Sequence, residues 1–238
     1  MEMTEHVSPR HAVVIASGGL DSTTVAYWLA GNGSRLTMLS FDYGQRHRKE
    51  LDFAVLIADR LGARHEVVDL GGLGRLLSGS ALTDSAVAVP DGHYTAKSMR
   101  STVVPNRNTI MLSVAVGVAV ASGADAVAFG AHAGDHAVYP DCRSEFFDLF
   151  AVLARVGNEG FVTEDFRLLA PFINQSKADI VRVGEQVGVP FAETWSCYRG
   201  GALHCGTCGT CTERIEAFEL AGVDDPTVYG AASSGVAR

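Results

Sequence analysis

The chain has 238 residues, of which 47% are hydrophobic, 19% charged and 8% aromatic, and its formal net charge is −8. That length holds one large α/β domain, or one domain with a small appendage, and not several full domains. The acidic balance argues against a broad surface of clustered Lys and Arg for gripping a polynucleotide, so small-molecule substrates are expected and nucleic acid is not.

The opening "MEMTEHVSPRH" has no apolar signal core, and residues 1–10 read as an N-terminal extension. The longest mainly apolar run, Thr109 to Ser122, is too short to span a bilayer, so a soluble, cytoplasmic protein with no membrane partner is expected. His11 to Ala16 and Arg35 to Phe41 read as apolar strands and Arg64 to Leu70 as a third. Helix-like segments lie between them, at Ser22 to Ala30 and Arg46 to Leu61, giving a βαβαβ series.

From Gly71 to Val104 the chain is rich in Gly, Ser, Thr, Asp and Pro, with a short helix around Leu73 to Leu77. A connection that long in a compact domain is usually functional, and residues 71–105 are expected to form a lid or substrate loop. Alternation then resumes with helix Asn108 to Ser122, strand Ala126 to Ala131, helix Arg143 to Val156, strand Phe166 to Pro171 and helix Ser176 to Val187. The pattern predicts a doubly wound parallel sheet over residues 11–190, with ligands bound beyond the carboxyl ends of its strands.

At the end of the first strand stands "SGGLDSTT". Gly18 and Gly19 let the backbone N–H groups approach a ligand closely. The helix that follows adds unpaired N–H groups and the positive end of its dipole, and Ser17, Ser22 and Thr23 add hydroxyl donors. Together these make a phosphate cradle. Asp21 alone would repel an anion, so it reads as an N-cap or as the carboxylate that handles the magnesium of a nucleotide. The stretch lacks the Lys of a G-x-x-x-x-G-K-[ST] loop and is not G-x-G-x-x-G.

"SGGLDST" resembles the SGGxDS signature of the PP-loop, or N-type, ATP pyrophosphatases. The resemblance implies an adenine nucleotide alpha hydrolase-like fold in which Ser17, Gly18, Gly19, Leu20, Asp21, Ser22 and Thr23 hold the phosphates of Mg-ATP. A substrate oxygen would then be adenylated at the α-phosphorus.

Near the other end, "WSCYRGGALHCGTCGTC" spaces Cys197, Cys205, Cys208 and Cys211 by seven, two and two residues. Four thiolates so spaced can wrap a tetrahedral Zn²⁺, one structural ion per chain. An iron–sulfur cluster is an alternative, whereas disulfides do not suit a chain without an export signal. Residues 191–225 read as a small four-cysteine, zinc-binding segment with a C-terminal helix, and 226–238 as a tail.

"FDYGQRH", "VVPNRNT", "HAGDHAVYPDCR" and "INQSKADIVRVG", together with the cysteine stretch, resemble the 7-cyano-7-deazaguanine synthase family over about His11 to Gly222. This implies conversion of 7-carboxy-7-deazaguanine and ammonia to a nitrile, through a carboxyl adenylate, an amide and a second activation. By position, Lys177 would reach the phosphates, and Arg46 and Arg107 would neutralise the polyphosphate or the substrate carboxylate. Tyr139 would stack on the purine-like ring, Asp141 would accept from its N–H groups, and Arg143 would sit at the pocket mouth; the plainer reading of Tyr139 to Asp141 is a turn that caps a helix. Cys142 reads as a small buried residue, and His132 and His136 as ligand contacts or loop hydrogen-bonders. A homodimer is the family expectation, and free ammonia is expected because the chain has no room for a glutaminase domain. The alternatives are a tRNA-modifying PP-loop enzyme, which charge and length disfavour, and a non-catalytic zinc module.

Overall fold

His11–Ile15 is buried at every position, as a strand packed on both faces must be, and in the computed structural model it forms the central strand β1. The structure describes residues 8–77, 79–93 and 96–230. After β1 come α1 (Leu20–Gly31), β2 (Arg35–Asp42), α2 (Glu50–Arg60), β3 (Arg64–Asp69), α3 (Gly71–Leu76) and α4 (Ala96–Met99). They are followed by α5 (Arg107–Ser122), β4 (Ala126–Ala128), α6 (Ser144–Gly157), β5 (Arg167–Leu169), α7 (Lys177–Gln186) and α8 (Gly209–Ala221).

The five strands form one parallel sheet in the order β3-β2-β1-β4-β5. Val13 stands opposite Thr37 on β2 and opposite Val127 on β4. The chain therefore winds outward from β1 to β3, then returns to the other side of β1 to start β4. That reversal opens a crevice at the carboxyl ends of β1 and β4.

Alternate strand residues feed two cores. Val13, Ile15, Leu39, Phe41 and Val127 pack with α5 and with Phe147 and Phe150 of α6. Ala12, Val14, Met38, Ala126 and Ala128 pack on the opposite face with Val25 and Leu29 of α1, Ile57 of α2 and Ile180 of α7. β3 lies at the sheet edge and carries Arg64, His65 and Glu66, residues that discourage further strand pairing.

Some expected boundaries move. Residues 46–49 form turns, and α2 starts at Glu50 rather than Arg46. The fourth and fifth strands are shorter than expected, at three residues each. The stretch expected to be a lid is packed into the molecule where it is described. Ala81, Leu82, Met99 and Thr102 are buried, Ala81 N donates to Ser101 O at 2.6 Å, and Gly92 N donates to Thr207 O at 2.9 Å. Small residues there keep the path compact, and the segment runs from the β2 side of the sheet to the cysteine segment.

Candidate active site

The loop after β1 is shaped by one glycine above all. Gly18 has φ +74, and a Cβ there would lie 2.3 Å from Glu50 O and 2.6 Å from Ala54 N, so the loop rests directly on α2. Gly19 occupies the N-cap position of α1, and no side chain caps it. The leading N–H groups of α1 are thereby left for a ligand. Ser17 and Ser22 close the turn: their hydroxyls are 3.1 Å apart, and Gly19 N donates to Ser17 Oγ at 3.3 Å. From the far side Gly130, just beyond β4, approaches so closely that a Cβ would be 3.0 Å from Ser22 N.

Asp21 is not the helix cap. It lies in the first turn of α1, where Lys177 Nζ donates to its Oδ2 at 2.9 Å, while Oδ1 is buried and unpartnered. Lys177 is the first residue of α7, placed by a capping box in which Ser176 Oγ accepts from Asp179 N and Asp179 accepts from Ser176 N. The same ammonium is 3.2 Å from Glu213 Oε2 on α8. Burial pushes Asp21 up, but Lys177 overcomes it and holds the carboxyl below its usual value. Burial pulls Lys177 down, and the carboxylates of Asp21 and Glu213 more than offset this, so it stays protonated. Burial raises Glu213 despite the neighbouring cation. His132 is buried, and its Nδ1 accepts from Gly134 N at 3.1 Å, which assigns the proton to Nε2, 3.6 Å from Asp135 Oδ2.

A cleft of about 200 Å³ runs from this ionic group along the carboxyl edge of the sheet. Ser17, Gly19, Leu20, Asp21, Ser22 and Lys177 line one part of it. Arg107, Tyr43, Tyr139, Tyr198, Glu50 and His47 line another. Arg107 Nη1 lies 3.5 Å from Tyr43 Oη. Among the described residues no carboxylate pairs with Arg107, so its charge is available to an anion entering the cleft. Tyr139 is buried with its hydroxyl 2.6 Å from Thr102 Oγ1, so it forms wall.

Three expected contacts are not brought to the cleft. Arg46 sits in the turn before α2 and donates to the carbonyls of Asp84 and Val87, satisfying backbone acceptors of the long connection. Asp141 Oδ2 accepts from Asn108 N at 3.4 Å, beside the start of α5. Arg143 donates to His136 O at 2.8 Å on the exposed side. Gly18 and Thr23 lie behind the loop surface rather than on it, Gly18 against α2 and Thr23 buried. Cys142 is buried in the cleft wall, accepts from Asn108 Nδ2 at 3.3 Å, and has its thiol pushed up by burial.

Sequence reasoning missed Glu213, Glu50 and His47. Glu50 Oε1 accepts from Gln45 Nε2 at 3.0 Å, and Oε2 faces His47 Nε2 at 3.4 Å. Burial pushes the Glu50 carboxyl up to about 8, against the lowering effects of Gln45 and Arg107. Burial and Arg107 push His47 down to about 3, so the ring is neutral. Gln45 and His47 stand in the quoted "FDYGQRH", which was the one available signal; Glu213 had none beyond an acidic position on a helix after the cysteines.

The four sulfurs of Cys197, Cys205, Cys208 and Cys211 lie within 4.8 Å of one another. Backbone N–H groups point at two of them, Cys205 N at Cys197 Sγ (3.4 Å) and Cys208 N at Cys205 Sγ (3.3 Å). Donors aimed at sulfur favour thiolates, and four thiolates this close fit a tetrahedral metal ion. The segment is also joined to the loop after β1, since Trp195 N donates to Gly18 O at 2.8 Å and Trp195 Nε1 to Cys197 O at 2.8 Å.

Sheet order, glycine loop and cleft define a doubly wound parallel α/β protein with its candidate site at the carboxyl ends of β1 and β4. In solved structures the fold is shared by the U34-tRNA thiolase NcsA from Methanococcus maripaludis, with TM-score 0.52 and 15% identity, covering 91% of this chain and 67% of that one. The family model for queuosine biosynthesis protein QueC matches residues 11–222, and the chain belongs to that family. It is 58% identical over 217 residues to the 7-cyano-7-deazaguanine synthase of Rhizobium meliloti (strain 1021), covering 91% of each chain. It is also 58% identical over 219 residues to 7-cyano-7-deazaguanine synthase 1 of Mesorhizobium japonicum, covering 92% of this chain and 93% of that one.

Proposed function

We propose that the chain is a ligase that converts 7-carboxy-7-deazaguanine and ammonia to 7-cyano-7-deazaguanine with cleavage of ATP. The observation that carries this is the 58% identity across nine-tenths of both chains to a synthase of that name. The substrate carboxylate attacks the α-phosphorus of ATP and pyrophosphate departs. Ammonia displaces AMP to give the amide, whose oxygen is activated in a second round, and loss of that oxygen with AMP leaves the nitrile.

The loop residues Ser17, Gly19, Leu20 and Ser22 receive the polyphosphate with their N–H groups and hydroxyls, and Gly18 and Thr23 support them from behind. Asp21, with its unpartnered Oδ1, holds magnesium when Mg-ATP binds, and Lys177 places a positive charge on the departing pyrophosphate. Arg107 receives the substrate carboxylate or the α-phosphate. Zinc is the ion that best suits Cys197, Cys205, Cys208 and Cys211, with a structural role.

The tRNA-thiolating alternative is not favoured, because the relatives at high identity carry the synthase name and the net charge is −8. No helix among the described residues is long and apolar enough to cross a membrane, which is consistent with a cytoplasmic enzyme. A homodimer is supported by α6, whose Leu149, Val152, Leu153 and Val156 form an exposed apolar stripe at helical spacing. Sedimentation of a monomer at micromolar concentration, in wild type as in Leu153→Arg, would remove the dimer.

The test of function is mass spectrometry of products after incubation with 7-carboxy-7-deazaguanine, ammonium and Mg-ATP. A nitrile with AMP and pyrophosphate is expected. An amide alone removes the second activation, and no consumption removes the substrate assignment.

A further inference from the structure

Making an amide from ammonium and then a nitrile from that amide strips protons from one nitrogen. At neutral pH ammonia is mostly ammonium, which has no lone pair to attack with, and the nitrile has none of the amide's two N–H protons. A base in the cleft is therefore needed, and the four carboxyl groups that line it differ sharply in how they are held. Asp21 and Glu213 both lie on Lys177, and Asp135 faces His132. These three stand in the Lys177 part of the cleft, where the ammonium holds Asp21 and Glu213 in place.

Glu50 is placed differently. It opens α2 in the part of the cleft shared by Arg107, Tyr43 and Tyr198, and among the described residues no Lys or Arg pairs with it. Its side chain is only 12% exposed. Gln45 fixes one oxygen: Gln45 Oε1 accepts from Tyr43 N at 2.9 Å, and Nε2 donates to both Phe41 O (2.9 Å) and Glu50 Oε1 (3.0 Å). The amide is thus locked by backbone on two sides and holds the carboxyl in one orientation. The other oxygen, Oε2, lies 3.4 Å from His47 Nε2, beyond a good hydrogen bond. His47 in turn packs against Tyr198, with ring centroids 5.2 Å apart.

We propose that Glu50, oriented by Gln45 and backed by His47, is the catalytic base that takes protons from the substrate nitrogen in both nitrogen-handling steps. In the first, an ammonium N–H bond breaks and its proton goes to Glu50 Oε2. The freed nitrogen pair forms the C–N bond, the acyl C–O bond breaks with its pair on the oxygen that AMP carries away, and Glu50, having passed the first proton to water, takes a second from the new C–NH3+ group to leave the neutral amide. In the second, the activated amide loses two N–H protons, one at a time, to Glu50, which discharges each to water. One of those pairs remains as the nitrogen lone pair and the other becomes the third C–N bond as the C–O bond breaks, its pair again leaving on AMP. The assignment rests on the nitrile-forming reading of the family.

The groups around Glu50 are His47 and Tyr43 beside it, Arg107 from the start of α5 and Tyr198 behind His47. Of these His47 is neutral, burial and Glu50 raise Tyr43 to about 12, and Tyr198 is raised by burial, so Arg107 is the standing charge among them at neutral pH. A carboxyl poised near 8 there matches the working range of a base, and a positioned base contributes about 10²- to 10⁴-fold in rate.

The test is Glu50→Gln, which keeps the acceptor for Gln45 and removes the basic site. Substrate-dependent exchange of pyrophosphate into ATP without ammonium reads adenylation alone, and product formation with ammonium reads the whole sequence. Expected is wild-type exchange within about threefold in Glu50→Gln, with nitrile and amide formation falling at least about a hundredfold, and a rise of the wild-type rate with pH centred near 8 that the variant lacks. Glu50→Asp, which keeps a carboxylate one methylene shorter, is expected to recover part of the loss. Equal losses in exchange and product formation would overturn the assignment in favour of a purely structural role. Unchanged product formation would also overturn it. Absence of exchange and product in wild type overturns the functional reading instead, and this proposal with it.

Discussion

At the residue scale, Lys177 holds together groups from three parts of the chain, Asp21 on α1, Glu213 on α8 and its own helix. Removing one member of a buried ionic group leaves the others charged without a partner. Lys177→Met is expected to abolish pyrophosphate release and to cost about 3 kcal/mol of stability, read by urea unfolding. Asp21→Ala is expected to abolish ATP turnover with an unchanged circular dichroism spectrum; turnover near wild type would end the loop assignment. Glu50 gives a pH signature independent of activity. Its folded value near 8 is above the ordinary 4.5, so between these the folded chain keeps a proton that the unfolded chain has lost. Stability from this group is therefore present at low pH and declines as pH rises through that window. The melting temperature of wild type is expected to fall more steeply from about pH 5 to about pH 8 than that of Glu50→Gln.

At the scale of elements, the apolar runs located β1, β2 and β4, because a strand buried on both faces has to be apolar, whereas the edge strand β3, mostly exposed and carrying Arg64, His65 and Glu66, gave a weaker signal. The ends of elements were less legible. Lys49 takes helical angles (φ −53, ψ −26) just before α2 begins, so the turn at 46–49 and the helix look alike in sequence. The tight glycine turn at 17–19 was readable because glycine and hydroxyls at a strand end have a local physical reason to be there. The pairing of Asp21 with Lys177, 156 positions away, and the arrival of Glu213 were not readable, since they depend on how α7 and α8 pack. The capping box of α7 is local and can be tested locally: Ser176→Ala removes one cap and should cost about 1 kcal/mol in denaturant unfolding. Because Lys177 is the next residue, the same change is expected to raise the KM for ATP severalfold.

At the scale of the molecule, Trp195 ties the cysteine segment to the loop after β1. Cys197 is held to Trp195, and Trp195 N to Gly18 O. Removing the metal with a strong chelator is expected to weaken ATP binding at least about tenfold by isothermal titration, and re-addition of zinc to restore it. Undiminished binding in protein shown to be metal-free would separate the two.

The bond between Trp195 and Gly18 also has a bearing on how the protein is born. The loop residues leave the ribosome early, but their partner is made 177 positions later (195 less 18), roughly 10 to 35 s afterwards at about 5–20 residues per second. Until then Gly18 O has no Trp195 to accept from, and Asp21 has no Lys177. A nascent chain stalled before residue 177 would carry the whole glycine signature and yet fail to retain nucleotide.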